Sequence, residues 1–138
     1  MLREASLSDM VKRRISRQQC IFVARKRGND ELAPSDELFH DFDRRKRELE
    51  KDLGKGSIEA HNQAFLDCGY ESRFRKQIVG SPESLKKLES ICLRAKEENL
   101  FLVCYEGYSK ACHRRVLLRI AEECFGAKVA VEGLEPKR

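Results

Sequence analysis

Two periods of hydrophobic placement alternate along the chain. Ile21-Phe22-Val23-Ala24 is a short apolar run bounded by charges and by Gly28-Asn29-Asp30, which reads as a buried strand. Leu100-Phe101-Leu102-Val103-Cys104 is a second run of strand length, and its unbroken apolarity calls for cover on both faces, as in a central parallel strand. Lys128-Val129-Ala130-Val131 reads as a short last strand. Between these runs the spacing is helical. Leu38, Phe39, Phe42, Leu49 and Leu53 form a stripe, opened by Ser35 as N-cap with Asp36 and Glu37 in the first turn and closed by Gly54. Ser57 opens a second helix with Ile58, Phe65 and Leu66; Gly69 interrupts it, and Tyr70, Phe74 and Ile78 continue as a separate helical turn. Ser81-Pro82-Glu83 gives a cap, an N1 proline and an acidic first turn ahead of Leu85, Leu88, Ile91, Cys92 and Ala95. Ser109 is the expected cap of a last helix, with Val116, Leu117, Ile120, Ala121 and Cys124 inward and Gly126 at its end.

Strand, helices, strand, helix, strand is the order of an α/β domain. The predicted architecture is a small, mainly parallel sheet flanked by helices, three-layered and Rossmann-like, with 100–131 as one right-handed βαβ unit. Residues 1–19 are expected as a basic N-terminal arm or short helix, since Leu7, Met10, Val11 and Ile15 recur at helical spacing behind Ser6 or Ser8. Residues 20–138 are expected as a single α/β domain, a size that supports a core without metal or disulfide. The chain has no run of 18 apolar residues and its N-terminus no apolar h-region, so a cytoplasmic protein with no membrane partner is expected. Lys and Arg number 28 against 23 Asp and Glu, and because the signs are interspersed the net +5 favours anionic partners only weakly.

Six cysteines without an export signal point to reduced thiols, and no C-x-x-C spacing marks a zinc ribbon or a thioredoxin motif. Cys68, Cys92 and Cys124 fall on helical stripes and read as small core residues. Cys104 and Cys112 differ. Cys104 ends the central strand and Cys112 begins the next helix, and ligands of parallel sheets bind where strand carboxyl ends meet helix N-termini. A thiol of pKa about 8.5 needs roughly 2 kcal/mol to be half ionised at neutral pH. A helix N-terminus supplies ~0.3–1 kcal/mol, so a cation must add the rest, and His113, Arg114 and Arg115 follow directly. Three readings of this segment stay open: an activated thiol beside an anion site, a reversible Cys104–Cys112 disulfide, or a metal held by Cys104, Cys112 and His113, the last without a standard zinc spacing. Beside them stands the plain alternative of a buried Cys ahead of a solvated basic helix start.

Leu102-Val103-Cys104-Tyr105-Glu106 followed by Cys112-His113-Arg114 resembles the C-terminal signature of the domain-of-unknown-function 488 family. Leu32-Ala33-Pro34-Ser35 with Glu37, Leu38 and Phe42 resembles a stretch of its YeaO-like branch, and Arg25, Phe65 and Tyr70 fit the same branch. The resemblance covers about residues 21–125, while the branch's Trp-Pro-Arg-Gly stretch is missing and the chain has no Trp. Members of that family have no established reaction. Their paired cysteines imply a catalytic site without naming a substrate.

The expected site therefore has Cys112 as nucleophile or redox thiol, Cys104 as resolving or assisting thiol, His113 as the group that lowers the thiol pKa, and Glu106 as orienter. Arg114, Ser109, Arg25 and Ser35 are the candidates for holding a small anionic ligand, with no cofactor and no metal expected. The competing reading is a non-enzymatic module binding nucleic acid or nucleotides through Lys12-Arg13-Arg14, Arg44-Arg45-Lys46-Arg47 and Arg73-Phe74-Arg75-Lys76. A third is an interaction protein whose N-terminal stripe mediates self-association. His40 and His61 are expected as partly exposed structural residues, and Tyr105 and Tyr108 either line a pocket or cover the sheet end.

Overall fold

Three parallel strands carry the molecule, in the spatial order β1-β3-β2. The computed structural model describes residues 1–133; the last five positions of the expected 20–138 domain lie outside the described residues. The chain runs β1 Leu2–Ser6, α1 Leu7–Lys12, β2 Cys20–Phe22, α2 Asp36–Leu53, α3 Ile58–Asp67, α4 Tyr70–Val79, α5 Pro82–Ala95, β3 Leu100–Cys104 and α6 His113–Phe125, with short 3₁₀ turns at 17–19 and 30–32. The expected α/β class and parallel sheet are therefore present.

β3 is the central strand, and all five of its residues are buried. The period of two divides its side chains. Leu100, Leu102 and Cys104 join the main core with Val116 and Leu117 of α6, whereas Phe101 and Val103 form a smaller core under α1 with Leu7 and Met10. This is why a continuous apolar run was needed. The same alternation sends Leu2 and Glu4 of β1 toward α6 and Ala5 toward α1.

The cap signals of α2, α3 and α5 hold in detail. Ser35, Ser57 and Ser81 each accept a first-turn N–H, and Gly54 and Gly126 take positive φ just past helix ends. Gly69 separates α3 from α4 in the left-handed region. The basic run of α2 is ion-paired: Arg44 with Asp41, Arg45 with Asp67 and Glu48, and Lys46 and Arg47 with Asp43.

Four expectations need correction. Within 1–19 the expected short helix is α1, capped by Ser6, but residues 2–6 ahead of it form strand β1, in register with β3 from Leu2↔Leu100 to Ser6↔Cys104. A five-residue segment holding Arg3 and Glu4 shows no clean alternation, and only the Glu4 environment described below explains its burial. The last strand is reduced to one bridge, Leu2↔Val129, with 128–132 laid beside β1. Cys112, not Ser109, is the N-cap of α6, and it makes no side-chain capping bond. Cys124 is exposed rather than core, because its position on α6 turns away from the sheet.

Candidate functional site

The carboxyl ends of β2 and β3 meet the start of α6, and a cavity of about 370 Å³ opens there. Its floor carries Cys104, Glu106, Cys112 and His113; Arg25, Lys26 and Lys46 also line it, together with the rings of Phe42, Phe65 and Tyr70. The location is the one that parallel sheets reserve for ligands.

Each floor residue is placed by its element. Cys104 is the last residue of β3 and points to the α6 face. Cys112, extended at φ −148° and ψ 144°, turns the chain into α6 and holds its sulfur at the positive end of a 13-residue helix. His113 donates its Nε2–H to the Val23 carbonyl beyond β2, at 2.7 Å. A carbonyl only accepts, so the tautomer is fixed and Nδ1 faces the Cys112 sulfur at 3.8 Å. Arg114 Nη1 lies 3.7 Å from the same sulfur and donates to the Glu106 carbonyl at 2.8 Å. The Cys104 thiol donates to Glu106 Oε2 at 3.3 Å, and Cys112 Sγ lies 3.7 Å from that oxygen.

Beneath this floor is a buried charge cluster. Glu4 accepts from Arg114 Nε at 2.7 Å and from Arg115 Nε at 3.0 Å, and all three residues are fully buried. Among the described residues, Glu4 is the acid that both guanidiniums meet. Arg114 Nη2 is buried with no hydrogen-bond partner among the described residues. Arg115 is tied further to the Lys110 carbonyl, and Glu132 N–H caps Glu4 Oε2.

The electrostatic result follows. Burial opposes the charge of Cys112, but the Cys104 thiol, the His113 ring and Arg114 outweigh it and hold the thiol well below its ordinary value. Burial also opposes the charge on His113, yet the facing Cys112 sulfur and the Val23 carbonyl raise it. Cys104 is pushed the other way, chiefly by its hydrogen bond to Cys112, then by burial and the nearby Glu106. One sulfur is thus disposed to be an anion and its neighbour to keep the proton.

Of the sequence candidates, Cys104, Glu106, Cys112, His113 and Arg25 line the cavity. Arg114 touches the sulfur from behind. Ser35 instead caps α2, and the Ser109 carbonyl is held by Asn62. Cys112 is not open to bulk solvent: the residue is 4% exposed and lines the cavity. His61 is likewise buried rather than partly exposed; burial lowers its pKa, and its Nε2 bonds the Ala111 carbonyl at 2.7 Å. Of the two tyrosines, Tyr105 lines the cavity and Tyr108 donates its hydroxyl to Asp9.

Sequence reasoning missed Asn62 and Glu4. Asn62 clamps the loop before Cys112 twice, through Nδ2 to the Ser109 carbonyl and through Oδ1 from the Ala111 N–H. An Asn inside a helix and an acid in a five-residue strand carry no local signal of such partners. Donor atoms of Cys104, Cys112 and His113 lie within 4.8 Å of one another, a spacing that one soft ion could bridge.

No described helix is long and apolar enough to cross a membrane. No curated protein and no solved structure shows significant similarity to the chain. The model of the DUF488-N3a family, described as the active DUF488-N3 subclade, matches residues 10–123, which span the sheet's β2 and β3, helices α2 to α5, most of α6 and every floor residue of the cavity. The chain therefore belongs to the DUF488-N3a family.

Proposed function

We propose that the cavity is a cysteine-centred catalytic site with Cys112 as its nucleophile. One observation carries the reading: the Cys112 sulfur, at the mouth of α6, is met by the Cys104 thiol, His113 Nδ1 and Arg114 Nη1 while it faces a cavity. In the step this supports, the Cys112 thiol passes its proton to His113 Nδ1, and the resulting thiolate forms a bond to an electrophilic centre of the substrate. The bond to the leaving group breaks, and the leaving group takes its electron pair and the Nδ1 proton of His113. Water then gives a proton to Nδ1 and its oxygen bonds to the bound portion, whose bond to sulfur breaks with the electron pair returning to Cys112 as thiolate. Glu106 and Cys104 hold one proton beside the reacting sulfur and keep it oriented.

A reversible Cys104–Cys112 disulfide is the second reading, favoured by the contact of the two thiols. It takes two electrons to an oxidant such as a peroxide, which leaves as water and alcohol. The nucleic-acid reading gains less support, because the α2 cations are already paired with acids. Within the family, Leu32-Ala33-Pro34-Ser35 supports kinship with the YeaO-like branch. The free thiols fit a reducing compartment such as the cytoplasm.

The test is site-resolved alkylation by iodoacetamide at slightly acidic pH, read by mass spectrometry. Cys112 is expected to label ahead of the exposed Cys124. Labelling of Cys124 first, with Cys112 modified only after denaturation, contradicts the reading.

A further inference from the structure

The floor of the cavity is the wrong place for an anion. Glu106 is there, and on the reading above so is the Cys112 thiolate. Positive charge lines the cavity elsewhere, at Arg25 and Lys26 behind β2 and at Lys46 on α2; Arg25 Nη2 also pairs with the exposed Asp36 carboxylate at 2.6 Å, and Lys46 Nζ lies 3.8 Å from Asp43, so Lys26 carries the least compensated of the three charges. The Arg25 guanidinium carbon sits over the Phe39 ring, 4.0 Å from its centroid, and Lys46 Nζ is 5.7 Å from the centre of the Phe42 ring. Lys26 makes no ion pair among the described residues and stands at φ +60°, a conformation a lysine rarely adopts. Its N–H is held there by Asp30 Oδ1 at 2.9 Å, so the backbone presents this side chain at a structural cost.

The walls are aromatic. Phe65 and Tyr70 stack at 4.3 Å, and Phe42 stands edge-on to His61, Phe65 and Tyr70. Two polar groups interrupt them. Tyr70 is 5% exposed and its hydroxyl has no hydrogen-bond partner among the described residues. His61 spends Nε2 on Ala111, which leaves Nδ1 as an acceptor. A volume near 370 Å³ is that of a small-molecule pocket.

We propose that the cavity binds a planar aromatic ring bearing a phosphate or carboxylate, with the ring against Phe42, Phe65 and Tyr70 and the anion held by Arg25 and Lys26. The Tyr70 hydroxyl and His61 Nδ1 supply one donor and one acceptor to polar atoms on the ring. This names the substrate class for the cysteine-centred reading and rests on it only in keeping the anion off the floor.

Calorimetry on the Cys112→Ser protein with phenyl phosphate, benzoate, inorganic phosphate and benzyl alcohol tests it. Phenyl phosphate or benzoate is expected to bind at least about tenfold more tightly than either inorganic phosphate or benzyl alcohol. Lys26→Asn, which tolerates the left-handed backbone, is expected to weaken that binding by about tenfold, whereas Lys51→Asn, on the exposed end of α2, leaves it unchanged. Equal affinity for inorganic phosphate, equal affinity for benzyl alcohol, or no binding of the aromatic anions overturns the proposal. Because the variant lacks the thiol, this result is independent of Cys112 reactivity: aromatic-anion binding beside an inert Cys112 in the native chain would retain the ligand class and reject the chemistry.

Discussion

Glu4 and Arg114 stand 110 positions apart in the chain and 2.7 Å apart in the interior, both fully buried. The pair joins the edge strand to the helix that begins at Cys112. With Arg115 it forms a charge cluster that fixes the entry of α6 against β1, and it places a guanidinium behind the Cys112 sulfur. Removing one partner of a buried pair costs about 3–5 kcal/mol, because the remaining charges stay desolvated. Glu4→Gln is therefore expected to lower unfolding free energy by that amount in urea titrations. A loss below about 1 kcal/mol would mean the cluster is hydrated rather than dry.

The loop before Cys112 is held from α3 by three hydrogen bonds, one from His61 and two from Asn62. Asn62→Ala deletes two of them and leaves the Ala111 N–H short of an acceptor, for an expected cost of about 1–3 kcal/mol. The sulfur loses its fixed placement at the helix mouth, so alkylation of Cys112 at neutral pH is expected to slow. Unchanged stability together with unchanged labelling would show that the loop keeps its shape without the clamp.

The pH dependence of stability separates the two members of the Cys112–His113 pair. A thiol lowered by folding stabilises above its unfolded value near 9.0, and that contribution is lost as pH falls through its folded value. A histidine raised by folding stabilises below its unfolded value of 6.5, and that contribution is lost as pH rises through its folded value. The Tm gap between the native chain and Cys112→Ser is thus expected to close toward acid pH. The gap between the native chain and His113→Gln is expected to close toward alkaline pH. Gaps that run the opposite way contradict a thiolate–imidazolium pair.

Gly133 packs on the cluster: a Cβ there would lie 2.2 Å from Arg115 Nη2 and 2.6 Å from the Tyr108 carbonyl oxygen. Arg115 is fully buried and cannot swing aside. Gly133→Ala is expected to lower Tm measurably, read by differential scanning calorimetry, whereas Gly107→Ala, with open space around the position, is expected to leave it within a degree or so of native.

Much of the architecture is legible in the sequence because its signals are local. The three serine caps, Gly54 and Gly126 bracket their helices, and the apolar run 100–104 states its own double-sided burial. Strand β1 is not legible, since Arg3 and Glu4 find their partners far along the chain, in Phe101, Glu132 and α6. The floor of the site could be read from Cys104, Glu106, Cys112 and His113, all within one β-loop-α passage. Its walls could not: Phe42, His61, Phe65 and Tyr70 come from three helices whose packing no local pattern encodes. The burial of Cys112 is illegible for the same reason, because its cover belongs to helices remote in sequence.

The most direct test of the account is the rate of Cys112 alkylation by iodoacetamide as a function of pH, measured in the native chain and in His113→Gln. The account predicts a rate that is flat through neutrality and falls only in acid, with the midpoint moved up toward the ordinary thiol value near 9.0 in His113→Gln. A native-chain rate that rises tenfold per pH unit up to that value would contradict it.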